Sequence, residues 1–224
     1  MRRPCLVYRC GTIPYRQAWQ WQQELIRARF QNNNLPDIVL SVQHPNVYTL
    51  GRGASLDHVK FDPKTSSAEL LKVDRGGEVT FHGPGQLILY PILNLRYHTQ
   101  DLHWYLRKVE QVVIDTCQHY DLSADRKKGM TGVWLHEKKI AAVGVHASKW
   151  ITMHGFALNV TTDLSGFDRI VPCGISDFKV DKMENHLPHI EIAQVESVAV
   201  DSLARLFELE LEERSSCELT NTIV

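Results

Sequence analysis

The chain has 224 residues, 43% of them hydrophobic, and its 25 Lys and Arg against 26 Asp and Glu leave a formal net charge of -1. That length supports one sizeable core and no composition break divides it, so a single domain over residues 1–224 is expected. The even charge excludes the basic field of a nucleic-acid binder, and no run approaches the roughly 18 apolar residues of a membrane span, which predicts a soluble protein acting on neither nucleic acid nor membrane.

The opening "MRRPCLVYRCGTIPY" has basic residues but no long apolar run behind them. Five cysteines, Cys5, Cys10, Cys117, Cys173 and Cys217, are scattered without a C-x-x-C pair. That fits a reducing compartment, with the cytoplasm as default and a mitochondrion or plastid as the eukaryotic alternative. Eleven histidines show no H-E-x-x-H or other tight ligand spacing, so no metal is expected. "NVT" at Asn159 matches a glycosylation acceptor but lies in an apolar run without a secretory context.

Along the chain, "CLVYRCG" reads as a strand, and Pro14 opens a helix with Ala18, Trp21, Leu25 and Ala28 on one face, ended by "NNNLP". "IVLSV", "VYTL" and "QLILYPILNL" read as strands, with Pro91 expected at a bend or edge. Asp101 caps the clearest helix, to Tyr120, whose Leu102, Tyr105, Leu106, Val109, Val112, Val113 and Thr116 recur at helical spacing. "GVWL", "IAAVGV" and "GFALNV" follow as strands, with a hairpin turn near His136 to Lys138. A last helix is expected over Val195 to Leu209, and the tail from about residue 212 reads as a frayed terminus. Strands in runs with helices between them predict a mixed α+β fold.

Three stretches carry candidate chemistry. "RGGEVTFHGPGQ" (Arg75 to Gln86) holds four glycines that let backbone approach a ligand, yet it matches neither the P-loop nor the dinucleotide fingerprint. Its His82 suits either substrate positioning and proton transfer near neutral pH or a structural role. "EKKIAAVGV" places Lys139 at the entry to a strand, where register alone decides whether it points inward. "IVPCGI" sets Cys173 between Pro172 and Gly174, a turn cysteine that is either a small buried hydrophobe or a nucleophile awaiting an activating partner. His154 and His44 stand at strand mouths, fit for a pocket rim or an ordinary turn, and "DRKK" at Asp125 to Lys128 is a compact basic run, either a solvated loop or a surface for an acidic partner.

Together, "HPNVYTLGR", "RGGEVTFHGPGQLILYPI", "GVWLHEKKIAAVGV", "HGFALN" and "IVPCGI" resemble the lipoyl(octanoyl) transferases in order, spacing and wording, most clearly from about Pro36 to Ile175. The resemblance implies a mixed β-sheet flanked by helices, as in biotin and lipoate protein ligases, around an acyl pocket. It implies octanoyl transfer from octanoyl-acyl carrier protein to a lysine of lipoyl domains, those of 2-oxoacid dehydrogenase complexes and the glycine cleavage H protein, without a cofactor. Cys173 is then the thioester nucleophile and Lys139 the residue that lowers its pKa. The segments Arg75, Gly76, Gly77, Glu78, Val79, Thr80, Phe81 and His82, then Ala142, Val143 and Gly144, then Gly155, Phe156 and Ala157 match the family's substrate-binding positions. An ATP-dependent ligase and a non-catalytic acyl-binding homologue are the alternatives; "IVPCGI" speaks against the first, and the retained Cys/Lys pair against the second.

Overall fold

The computed structural model describes residues 2–171 and 179–215 together with Leu219. Strands β1 (Arg3–Thr12), β2 (Asp37–Gln43), β6 (Gln86–Ile92), β7 (Ala124–Asp125), β8 (Val133–Leu135), β9 (Lys138–Ser148), β10 (Ile151–Asn159) and β11 (Leu209–Arg214) form an eight-stranded sheet in the order β11-β1-β2-β6-β10-β9-β8-β7. β1 runs parallel to β2 and β11, and the remaining neighbours are antiparallel. A small sheet of β3 (Val47–Leu50), β4 (Glu69–Lys72) and β5 (Thr80–His82), ordered β4-β3-β5, lies beside it.

Helices α2 (Leu102–His119) and α3 (Ile192–Phe207) cover one face of the large sheet. Tyr105, Val109 and Val113 of α2 and Val195, Ala199 and Leu203 of α3 pack there on Leu87, Leu89, Phe156 and Leu158. Helix α1 (Tyr15–Gln31) lies on the other face, with Ala18, Leu25 and Ile26 against Tyr8, Ile38, Leu40 and Ile88. This mixed sheet flanked by helices is the α+β arrangement expected. No helix among the described residues is long and apolar enough to cross a membrane.

Asp101 does cap α2, its carboxylate accepting from the His103 and Trp104 amides. The face of α1 is turned from the one its apolar residues suggest: Trp21 and Ala28 are half-buried, while the polar Gln22 and Arg29 are buried. Gln22 Oε1 accepts the His154 amide at 2.7 Å, and Arg29 donates to the Leu25 and Pro36 carbonyls, so backbone acceptors and donors take these side chains inward. Pro91 stands in the central strand β6, not at an edge. The β6–β10 ladder is interrupted there: its pairing ends at Leu89 and Phe156, and His154 adopts a left-handed φ of 59°.

The last helix starts three residues earlier than expected and ends at Phe207, with Glu208 left-handed at φ 56°. Leu209 belongs instead to β11, so the stretch from residue 212 to 214, read as tail, is strand paired with β1. The β9–β10 hairpin closes through Lys149 and Trp150, both at positive φ as a tight two-residue turn requires, and His136 turns the β8–β9 hairpin at φ 53°.

Asp37 locks β1, β2 and the exit of β6 together. It is fully buried, with Oδ2 accepting from Arg3 Nε at 2.9 Å and His98 Nε2 at 2.8 Å and Oδ1 from the Asn94 amide at 2.9 Å. Asp37→Ala strands these donors and is expected to lower urea-unfolding stability by about 3–5 kcal/mol, with little effect on residues lining the cavity described below.

Candidate active site

The β6, β10 and β9 strands build the floor of a cavity of about 330 Å³ on the α1 side of the large sheet. Strand alternation brings Gln86, Ile88 and Tyr90 of β6 to it. From β10 come Gly155, Ala157 and Asn159, and from β9 Ala142 and Gly144. Ala142 pairs directly with Ala157 and Gly144 with Gly155, so four small residues keep the floor low. A β-carbon at Gly155 would run into the Leu89 carbonyl and come within 2.7 Å of Pro91 Cδ, which explains glycine at that position. Phe167, Val180, Met130 and Val79 complete the walls, at the lower end of the size range of small-molecule pockets.

Lys139 points into this cavity because of one inserted residue. Val133 pairs with Ala141 but Trp134 pairs with Lys139, so Ile140 is the extra residue of a β-bulge. Ile140 and Ala141 consequently both pack in the cluster under α2 and α3, and Lys139 turns the opposite way. Its ammonium lies 5.1 Å from the Trp134 ring centroid, and the residue is 7% exposed. Lys138 stays half-exposed, 3.7 Å from Asp181. The strand entrance is also pinned from outside the hairpin: the Lys139 amide donates to the Lys179 carbonyl and the Asp181 amide to the Lys139 carbonyl, both at 2.9 Å.

Most of the other expected positions converge here. Arg75, Gly77, Glu78, Val79, Thr80, His82, Ala142, Val143, Gly144, His154, Gly155, Phe156 and Ala157 all line the cavity, although the Val143 and Phe156 side chains also pack under α2. Three positions do not line it. Phe81 alternates to the far side of β5 against Tyr48 and Phe167, with ring centroids at 5.2 and 5.4 Å. Gly76 ties its loop to β9 by donating to the Val145 carbonyl at 3.1 Å and lines a neighbouring cavity of about 370 Å³. His44 is fully buried behind the cavity wall, 6.0 Å from His82. Cys173 lies outside the described residues.

A chain of side chains fixes the protons at His82. Asn159 Nδ2 donates to the Asp181 carbonyl at 2.9 Å, so Asn159 Oδ1 accepts from Gln86 Nε2 at 2.9 Å and Gln86 Oε1 faces His82 Nδ1 at 2.8 Å. His82 therefore carries its proton on Nδ1 and presents a bare Nε2 to the Thr49 hydroxyl at 3.4 Å. The Thr49 oxygen accepts from Arg75 Nε and Nη2 at 3.2 and 2.9 Å, leaving its hydrogen for His82. Burial pushes His82 down to about 3 and His44 down to about 4. His82 is thus a neutral strut that holds Arg75 and not a proton carrier near neutral pH. His44 Nδ1 donates to the Ile13 carbonyl at 2.7 Å, and its Nε2 accepts from the Tyr90 hydroxyl at 2.8 Å.

Sequence reasoning gave no part to Thr49, Asp74, Tyr90 or Glu110. Tyr90 was within reach, since alternation from Gln86 puts it on the same face; Asp74 carries no sequence mark. His154 Nε2 donates to Asp74 Oδ1 at 2.8 Å. Burial raises the Asp74 pKa, but the hydrogen bond and charge of His154 outweigh it and bring the carboxyl to about 2. Burial lowers His154, partly offset by Asp74. Asn159, the apparent glycosylation acceptor, is buried in the network above. The described cysteines are inert: burial raises Cys10 and Cys117 to about 12 and raises Cys5 as well. Among the described residues no cluster of three or more His, Cys, Asp or Glu could hold a metal.

Residues 14–204 match the family described as lipoyl protein ligase A/B catalytic domain. An octanoyltransferase from Nostoc sp. (strain PCC 7120) is 52% identical over 207 residues, 92% of this chain and 94% of that relative. This chain belongs to the octanoyltransferase family. A second octanoyltransferase, from Thermosynechococcus vestitus, is 48% identical over 209 residues, 93% of this chain and 92% of that protein. The crystal structure of lipoate-protein ligase A bound with ATP superposes with a TM-score of 0.78 at 15% identity, covering 100% of this chain and 92% of that one. At that identity the likeness establishes the shared fold alone.

The buried histidines make the stability of the chain depend on pH. His44 and His82 are neutral when folded, at about 4 and about 3, but take up protons below their ordinary 6.5 when unfolded. The unfolded state binds more protons between the folded values and 6.5, so stability rises with pH from about 3 to 6.5 and flattens above. Urea midpoints should be lower at pH 5 than at pH 7, and His44→Gln should narrow the gap; equal midpoints in the parent protein would contradict burial of neutral imidazoles.

Proposed function

We propose that this acyltransferase moves an octanoyl group from octanoyl-acyl carrier protein onto Cys173 as a thioester, and from there to the ε-amine of a lysine in a lipoyl domain. The acceptors are the lipoyl domains of 2-oxoacid dehydrogenase complexes and the glycine cleavage H protein. The observation that carries the reading is the buried Lys139 turned by the bulge into a cavity floored by Ala142, Gly144, Gly155 and Ala157.

In the first half, the Cys173 thiolate attacks the donor carbonyl, and the carrier thiolate leaves and takes a proton from the Lys139 ammonium, which leaves Lys139 neutral for the second half. A nearby ammonium from Lys139 favours the cysteine thiolate that this attack needs. In the second half, the acceptor amine attacks the thioester, the Cys173 thiolate departs, and Lys139 in its neutral form takes the proton released as the amide forms. Because a thioester is already activated, no nucleotide is required, in keeping with the lack of a phosphate-loop motif in Arg75 to Gln86. The segments Arg75 to His82, Ala142 to Gly144 and Gly155 to Ala157 supply the substrate contacts in this reading, with Phe81 and Gly76 acting through the backbone and wall they hold. Burial of the chain at about 0.8 kcal/mol per methylene contributes on the order of 5 kcal/mol, so shorter acyl chains should bind progressively worse but not be excluded.

Incubation with octanoyl-carrier protein alone, followed by intact mass spectrometry, should show one octanoyl adduct. Cys173→Ala should abolish it, and Lys139→Met should slow its formation at pH 7 by about tenfold or more. An adduct that persists in Cys173→Ala, or acylation of the lipoyl domain only with ATP present, would defeat the proposal.

A further inference from the structure

Glu110 is an acidic side chain of α2, fully buried and outside the cavity lining. Arg107 Nη1 and Arg126 Nε donate to its Oε2 at 2.7 and 3.0 Å. Its Oε1 accepts the Gly132 amide at 3.0 Å. Arg126 is fastened a second time to α2, through the Arg107 carbonyl at 2.8 Å and Gln111 Oε1 at 2.9 Å. Arg126, half-buried, is thereby tied to α2 by its guanidinium.

Gly132 has φ 126° and lies against Lys139: a β-carbon there would collide with Lys139 Cε and stand 3.0 Å from Nζ and 2.7 Å from the Ala141 carbonyl. We infer that Glu110 is a positioning residue for Lys139, holding through the Gly132 amide the wall on which the lysine's Cε and Nζ rest. Two guanidiniums hold the carboxylate in place, the carboxylate fixes Gly132, and the missing side chain of Gly132 leaves room for the lysine's Cε. A glutamine cannot replace it, because three donors then face one oxygen and an NH₂ group, and either the arginines or the Gly132 amide loses its partner.

The placement of Lys139 stands without the proposed reaction, and only its effect on octanoyl transfer rests on that reading, so both are measured. Glu110→Gln and Gly132→Ala are prepared in the full chain. Lysine reactivity is read by competitive acetylation with acetic anhydride across pH 6 to 11 and peptide mass spectrometry, with Lys138 as internal control. Both variants are expected to change the rate and pH profile of Lys139 acetylation while leaving Lys138 unchanged. They should also lower kcat for octanoyl transfer by about ten- to a hundredfold with little change in KM. A folded Gly132→Ala or Glu110→Gln protein whose Lys139 labels as in the parent overturns the inference. Should Glu110→Gln fail to fold, Gly132→Ala decides alone, since it keeps the ion cluster; should both fail to fold, the cluster is structural and the inference is overturned. Altered Lys139 labelling with unaltered octanoyl transfer supports the positioning and instead refutes Lys139 as the activating amine.

Discussion

One inserted residue in β9 decides which way Lys139 points. Side chains on a strand alternate, and Ala142 and Gly144 on the cavity floor would leave Lys139 on the opposite face, among the apolar residues that meet α2. An unpaired ammonium there would carry a desolvation cost of several kcal/mol. The bulge at Ile140 removes the conflict by spending two successive positions on the helix side. The lysine then reaches the cavity, and Ile140 and Ala141 fill the core. The backbone bonds from Lys139 to Lys179 and Asp181 hold that entrance from one side, and Gly132 holds it from the other.

The remaining polar groups around the cavity serve as framework. His82, His44 and Tyr90 have their protons assigned by fixed carbonyls, those of Asp181 and Ile13, and burial keeps both imidazoles neutral. Each donor meets an acceptor through a run that starts at Asp181 and ends at Arg75. Arg75 in turn supports Gly144, where a β-carbon would come within 3.0 Å of Arg75 Cδ. A floor of small residues and a wall of rigid, neutral hydrogen bonds suit an acyl chain better than a charged ligand, and they concentrate the ionic character of the cavity on Lys139, Arg75 and Glu78.

What the sequence made legible follows from which signals are local. Helix α2 was readable because Asp101 caps it and its apolar residues keep a period near 3.6. The cavity-lining segments were readable through their motif wording. The orientation of Lys139 was not, because a bulge leaves no mark in "EKKIAAVGV" and only pairing with Val133 and Trp134 reveals it. The face of α1 misled because Gln22 and Arg29 are buried by partners distant in sequence, His154 and Pro36 among them. Strand β11 was hidden by its position after a helix, though the alternation in "LELEER" already had the period of an edge strand. His82 looked titratable because burial and the Thr49 and Gln86 contacts arise only in the folded chain.

The central claim is that the inward-turned Lys139 activates Cys173. Iodoacetamide alkylation of Cys173, followed residue by residue from pH 5 to 10 in the parent protein, Lys138→Met and Lys139→Met, tests it most directly. The account predicts that Lys139→Met moves the Cys173 profile upward by about one to three pH units while Lys138→Met leaves it in place. Superimposable profiles for the parent and Lys139→Met would contradict it.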